Sequence, residues 1–273
     1  MISLIGIGDF CCAIIDKLQY PQYMQYKLLK NKYEIPSLKN AEEYEKEDIN
    51  FNNIITDNNK SVVVFVDGSE AISGIVLRLL ETLKNREISV VYLRSDLQLV
   101  SNIEKMQDKI CFSILQEYAR SGLFKKMILV DKLKVEQIFD NVTILDYEEK
   151  LTSLISTTYH MMNVYSNTKP ILTNINETSN ICHIETLGIS GIEEKDIKWF
   201  FDIENINEII YYFAINSTTM KREQKLLYNI KKQIKDKQTE GLSVMFGVFE
   251  TQYSENYVYC SAKTKFIQPH CAA

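Results

Sequence analysis

The feature that most constrains the fold is an uninterrupted apolar run at residues 61–66, which reads Ser-Val-Val-Val-Phe-Val. A β-branched run without polar alternation is typical of a strand that is buried on both faces, as in a parallel sheet. An antiparallel strand with one solvated face would instead alternate apolar and polar residues. The chain is therefore expected to contain a parallel sheet covered by helices on each side.

Three further apolar runs resemble the first, and each is followed by a helical pattern. Strands are predicted at residues 2–7, 88–93 and 126–130, and helices at residues 10–18, 75–85, 106–122 and 134–139. Gly122 is predicted to cap the third of these helices at its C-terminus. Residues 21–60 are polar and weakly patterned, so no element is placed there. This alternation of strands and helices indicates a parallel sheet.

The second half of the chain has a different pattern. A long helix is predicted at residues 147–165, and Pro170 prevents its continuation. After it we predict a strand at 209–216, a helix at 221–237, a strand at 242–250 and, through a turn at 254–256, an antiparallel partner strand at 257–267. The predicted fold class is α/β, with a parallel-sheet domain at 1–145, a central helix and linker at 146–170, and a smaller α+β domain at 171–273.

The charge distribution limits the partners that can be expected. The net charge of −5 and the pI near 5.4 argue against a protein that binds the phosphate backbone of nucleic acid. Residues 42–48 form the densest charge run, which is acidic with one lysine and is interpreted as a solvated surface. Residues 221–237 are strongly basic, but their apolar positions recur at helical spacing, so the lysines are placed on the outer face of a helix.

Cysteine and histidine positions give no sign of a metal site. The six cysteines contain no Cys-x-x-Cys pair, and the three histidines are scattered, so neither zinc nor a nucleophile triad is expected. The first eight residues lack the basic region of a signal peptide, and no apolar run reaches about 18 residues. A cytoplasmic protein without a membrane span is expected.

Two glycine-containing turns follow predicted strands, at residues 6–12 and 67–74. Glycine lets backbone N–H groups approach a phosphate closely, so both turns are candidate phosphate cradles. The first turn begins Gly-x-Gly, but Cys11 replaces the third glycine of a dinucleotide fingerprint. A plain turn between strand and helix is the alternative for residues 6–12. The case for ligand binding is better at 67–74, since ligands bind at the carboxyl ends of buried strands.

Three segments resemble the tubulin/FtsZ family. The opening Ile-Ser-Leu-Ile-Gly-Ile-Gly at residues 2–8 is similar to the family's first strand and first glycine loop. Residues 62–74 lie where the family has a strand followed by Gly-Gly-Gly-Thr-Gly-Ser/Thr-Gly. Met-Phe-Gly-Val-Phe at 245–249, followed by Tyr-Val-Tyr-Cys-Ser-Ala-Lys at 257–263, resembles the closing hairpin of FtsZ. The order of elements, including the long central helix, also fits.

The resemblance implies a nucleotide-binding-like domain at 1–145, with GTP or GDP and magnesium as its cofactors. The binding positions that it implies are Gly6, Gly8, Asp9, Asp67, Gly68, Ser69, Ser73 and Gly74. Three carboxylates, those of Asp9, Asp67 and Glu70, are added to the loops here. Each of these carboxylates costs on the order of 1–4 kcal/mol at 4 Å from a phosphate charge, unless a bound magnesium ion offsets the repulsion. The nucleotide pocket is therefore predicted to be degenerate.

The family's hydrolysis also requires acidic residues from the second half of a neighbouring subunit. The corresponding region contains five acidic or amide candidates, none in the family's Asn-x-Asp-Phe-x-Asp pattern: Asn180, Glu185, Glu193, Glu194 and Asp196. Carboxylates that orient water would suit the chemistry. Because this pattern is missing, no catalytic residue is assigned.

Three functions are consistent with these observations. The first is a self-assembling structural or assembly protein that stacks head to tail, alone or with assembly partner proteins. The second is a cytoskeletal polymer protein that binds and hydrolyses GTP through the same two loops. The third is an α/β ligand-binding module that forms no polymer.

Overall fold

The computed structural model describes residues 1–32, 35–139, 141–176, 181–192 and 196–270. The strands are β1 Ile2–Ile7, β2 Tyr23–Leu28, β3 Ser61–Asp67, β4 Glu87–Arg94, β5 Lys126–Asp131, β6 Leu172–Thr173, β7 Ile184–Ser190, β8 Lys198–Trp199, β9 Glu208–Asn216, β10 Ser243–Thr251 and β11 Tyr257–Thr264. The helices are α1 Asp9–Asp16, α2 Ala41–Lys46, α3 Phe51–Ile54, α4 Val76–Thr82, α5 Asn102–Arg120, α6 Lys132–Glu136, α7 Tyr147–Ser166, α8 Ser217–Arg222 and α9 Leu226–Lys237, with a 3₁₀ helix at Ala71–Ile75.

The first five strands form a parallel sheet in the order β2-β1-β3-β4-β5. β3 is buried on both faces, as its valine run predicts. Val63 and Phe65 belong to the apolar cluster that includes α1 and α7, whereas Val62 and Val64 belong to the cluster that includes α4 and α5. The predicted parallel sheet between two helical layers is confirmed.

The strands of the second half follow in the order β7-β11-β9-β10-β6. The predicted hairpin between the last two strands is wrong, because β9 lies between them. β10 pairs with β9 in parallel, and β11 pairs with β9 and β7 in antiparallel fashion. Residues 208–215 of β9 are all buried. A strand buried along its length takes a partner on each edge, so β9 separates β10 from β11.

The two halves share one sheet, whereas the sequence predicted two domains joined by a helix. β7 adds to β5 in parallel, with Met127–Leu129 in register with Ile184–Thr186. The contact is short because only three residue pairs are in register. The boundaries at 145 and 170 stay a prediction.

Several helices differ in extent from their predicted ranges. α5 begins at Asn102, because Ser101 and Glu104 form a capping box in which each side chain binds the other's backbone N–H. After α5, Gly122 has φ +79° and its N–H donates to the Ala119 carbonyl, while Leu123 N–H donates to Tyr118. This is a Schellman cap, so the predicted role of Gly122 is confirmed. The helix predicted at 221–237 is two helices, α8 and α9.

No helix in the part of the chain that the structure describes is both long enough and apolar enough to cross a membrane.

Candidate functional site at the carboxyl ends of β1 and β3

The two glycine turns meet at one edge of the sheet. β1 and β3 are parallel neighbours with Ile7 opposite Val66, so the turns that follow them leave the sheet side by side. Gly8 has φ +86° and ψ 173°, a conformation that is essentially restricted to glycine. A Cβ at Gly8 would overlap the carboxylate of Glu70 from the other turn. The two turns are therefore in direct contact.

The Asp67 carboxylate is buried, with an exposed fraction of 1%, and is fully occupied by the chain's own groups. Ser69 Oγ donates to Asp67 Oδ1 at 2.7 Å, and Ser95 Oγ donates to Oδ2 at 2.8 Å. Lys132 Nζ, at the start of α6, forms an ion pair with Oδ2 and lies 3.8 Å from the centre of the Phe10 ring. Asp67 is thus the anchor of a buried polar network.

Glu70 is the carboxylate with the most perturbed acidity in the site. Burial raises the pKa of Glu70, and the nearby charges of Asp67 and Asp9 raise it further, to about 7, although Lys132 opposes the shift. Near neutral pH the group therefore exists in both protonation states. Its carboxylate lies beside Gly8, which is the N-cap residue of α1.

The loop after β3 is held in shape by α5. Gln107 Nε2 donates to the carbonyl oxygens of Glu70, Ser69 and Gly68 at 2.6, 3.2 and 3.3 Å. It also lies 3.2 Å from Ser73 Oγ, which donates to the Gly68 carbonyl. The carbonyl oxygens of the loop are thus turned toward this helix.

Gly68 and Gly74 are required by close packing against protein atoms. A Cβ at Gly68 would overlap the hydroxyl of Tyr92, which donates to the buried carboxylate of Asp108. A Cβ at Gly74 would overlap the backbone carbonyl of Ala41 in α2. Both glycines therefore have a structural role that does not depend on a ligand.

Gly74→Ala is expected to destabilise the protein by about 1–3 kcal/mol, because α2 has to move away from the new methyl group. The measurement is urea denaturation of protein stripped of any bound nucleotide. Unchanged stability would contradict the close contact between Gly74 and Ala41.

Gly6, one of the predicted binding positions, is buried between β1 and α1. The Cys12 thiol donates to its carbonyl oxygen at 3.3 Å, and a Cβ at Gly6 would lie 3.0 Å from Ile15 Cδ1. Gly6 therefore allows α1 to pack closely on β1.

Of the five candidates for hydrolysis, Glu185 and Asp196 lie in the part of the chain that the structure describes. Glu185 is buried near the amino end of β7, 2.8 Å from Lys126 Nζ. Burial raises the pKa of Glu185, but Lys126 and Lys263 outweigh burial and lower it below its usual value. Asp196 is exposed. Asn180, Glu193 and Glu194 lie outside the described residues.

Sequence reasoning missed the residues that complete the site, namely Ser95, Gln107 and Lys132. They lie 26 to 65 positions from their partners at residues 67–70. Among the described residues, no group of three or more His, Cys, Asp or Glu side chains could hold a metal ion.

No protein-family model and no curated protein sequence matches the chain. Solved structures do match it over nearly its whole length. The GDP-form protofilament of TubZ from Bacillus thuringiensis serovar israelensis has a TM-score of 0.71 at 13% identity and covers 98% of this chain and 85% of that one. CetZ2 from Haloferax volcanii, in a GTPγS-bound protofilament, has a TM-score of 0.71 at 10% identity, with 96% and 92% covered.

An empty FtsZ dimer from M. jannaschii gives a TM-score of 0.66 at 10% identity, over 96% of this chain and 88% of that one. Identities this low establish the fold alone. The predicted tubulin/FtsZ-like fold is confirmed.

Proposed function

We propose that this chain, which has the tubulin/FtsZ fold, is a self-assembling structural protein that stacks head to tail without requiring a nucleotide. TubZ and CetZ2, which share the fold across 96–98% of this chain, were both solved as protofilaments. Head-to-tail stacking is a heterologous contact, so it repeats into an open filament. The fold and the neighbours' protofilaments support the assembly part of the proposal.

One observation carries the nucleotide-independent part, namely that the Glu70 carboxylate lies against Gly8. The family resemblance puts phosphates at these two turns, where Asp9 adds a further acidic group and Asp67 is paired with Lys132. Each ionised carboxylate 4 Å from a phosphate charge costs on the order of 1–4 kcal/mol. The residues present therefore do not fit a triphosphate, and we propose that the Glu70 side chain occupies the space beside Gly8 that a phosphate would need.

A GTP-binding polymer protein is the second candidate function. It is favoured by the nucleotides in the TubZ and CetZ2 structures and by the meeting of two strand-to-helix turns at one edge. On this alternative, Glu70 would have to be protonated or move away from Gly8 before a phosphate could enter.

Nucleotide binding by wild type and Glu70→Ala separates the two candidates. We expect wild type to carry no guanine nucleotide when purified and to show no GTP turnover with magnesium. At pH 8, Glu70→Ala is expected to bind GTPγS at least about tenfold more tightly than wild type, since one negative charge is removed. Glu81→Ala, which removes an exposed carboxylate of α4, is the matched control and should change nothing.

Guanine nucleotide that co-purifies with wild type, together with magnesium-dependent GTP turnover, would establish the GTPase instead. A monodisperse monomer that does not bind nucleotide would leave the non-polymerising α/β binding module as the remaining candidate function.

A further inference from the structure

An apolar groove with an acidic rim lies between α2 and α5. Its volume is about 560 Å³, and three of its large apolar side chains are more than half exposed: Ile103, Met106 and Ile110 of α5. Glu42 and Glu45 of α2 line the same groove. Contiguous exposed apolar surface with a polar rim marks an interaction site in soluble proteins.

The exposed face of α9 is complementary to this groove. One side of α9 is buried against β9 and β10 through Leu226, Ile230 and Ile234. Tyr228, which is 67% exposed, lies on the opposite side, and Leu227, which is 45% exposed, lies at the boundary between the two sides. The exposed lysines of the helix are Lys231, Lys232 and Lys235.

The two surfaces carry opposite charge. Residues 221–237 carry seven lysine or arginine residues and two acidic ones, a net charge of +5 in a chain whose total is −5. Residues 42–48, which include the rim of the groove, carry five acidic residues and one lysine. A basic surface within an acidic chain favours an acidic partner, and a second copy supplies one.

The groove and the lysine-rich end of α9 lie toward opposite edges of the sheet, whereas Leu227 and Tyr228 lie at the other end of α9. The groove borders Gly74, beyond the carboxyl end of β3. α9 ends at Lys237, and β10 starts at Ser243, so the lysine-rich end of α9 approaches the amino end of β10. The pairings of β5, β7, β11 and β9 give β10 the same direction as β3. Because β4, β5, β7 and β11 lie between β3 and β9 in the sheet, a contact between the groove and α9 joins two copies rather than closing one molecule on itself.

We infer that the exposed face of α9 from one copy docks in the groove between α2 and α5 of the next copy. Leu227 and Tyr228 contact the apolar stripe of α5, and the lysines contact Glu42 and Glu45. An amphipathic helix laid in an apolar groove is a common recognition mode, and the opposite charges fix its orientation. Because the two surfaces differ, the contact repeats into a filament. This inference rests on the proposed head-to-tail assembly and identifies its surfaces.

Charge exchange tests the contact. Filament formation by the full chain is measured by sedimentation over a concentration series, in low salt because screening weakens such pairs. Lys231→Glu/Lys235→Glu is expected to raise the concentration needed for assembly at least about tenfold. Lys17→Glu/Lys84→Glu makes the same change in net charge at exposed sites outside α9 and should assemble like wild type.

The compensating exchange makes the test specific to this pair of surfaces. Adding Glu42→Lys/Glu45→Lys to the α9 variant is expected to restore most of the lost assembly. Assembly that is unchanged by the α9 reversal, or not restored by the exchange, overturns the contact while leaving the filament itself standing. The contact is also overturned if the charge reversal on α9 weakens binding to a nucleic acid probe and leaves assembly unchanged. Wild type that never assembles overturns the proposed function as well.

Discussion

Glu70→Gln is expected to stabilise the protein by about 3 kcal/mol at pH 8 and to have almost no effect near pH 4.5. The pKa of Glu70 is about 7 in the folded protein, against a reference value of 4.5. Between these values the folded state binds the proton more tightly than the unfolded state does. The stability that this proton contributes is fully present below pH 4.5 and is lost as the pH rises through 7.

The measurement is urea denaturation of both proteins between pH 4.5 and pH 8, at concentrations below those of assembly. The difference in free energy of unfolding should grow with pH and level off above pH 7. Glu81→Gln, at an exposed position of α4, is the control and should follow wild type. Parallel curves for wild type and Glu70→Gln would show that Glu70 is not buried beside Asp67 and Asp9.

Lys132→Met is expected to cost about 3–5 kcal/mol of folding stability, because it leaves the Asp67 carboxylate buried without its cation. Lys132 is 14% exposed and Asp67 is 1% exposed, so water cannot replace the lost partner. Methionine keeps the aliphatic part of the side chain and loses the ammonium group, which pairs with Asp67 and lies over the Phe10 ring. The loss can therefore be attributed to charge.

Lys134→Met is the matched control, two residues further along α6. Lys134 pairs with Asp202, whose side chain is 69% exposed, so its loss should cost about 0–1 kcal/mol. Adding Asp67→Asn to Lys132→Met should recover part of the stability, because it removes the unpaired charge. Equal effects of the two lysine variants in thermal or urea denaturation would contradict the buried ion pair.

The parallel half of the fold could be predicted because each of its strands has a characteristic local sequence pattern. A strand such as β3, with apolar neighbours on both faces, has an uninterrupted β-branched sequence. The partner of a strand has no comparable local signal. The short turn after β10 therefore suggested a hairpin, and the burial of β9, which places β9 between β10 and β11, is a tertiary property.

The candidate site could likewise be predicted only in part. Carboxyl ends of neighbouring parallel strands lie at one edge, so the meeting of the turns at Gly8 and Gly68 follows from the fold class. The acidic residues of these turns are visible in the sequence. Lys132 and Gln107 are not, because they reach the loop from α6 and α5, and only the folded chain brings them within hydrogen-bond distance of it.

Sedimentation and electron microscopy of nucleotide-free protein decide whether the chain assembles by itself. The protein is stripped of nucleotide and held with a chelator, and its polymer is then compared with that formed after GTP and magnesium are added. We expect filaments in the pellet under both conditions, in equal amount. Filaments that form only after GTP and magnesium are added, or no filaments at all, would contradict nucleotide-independent head-to-tail assembly.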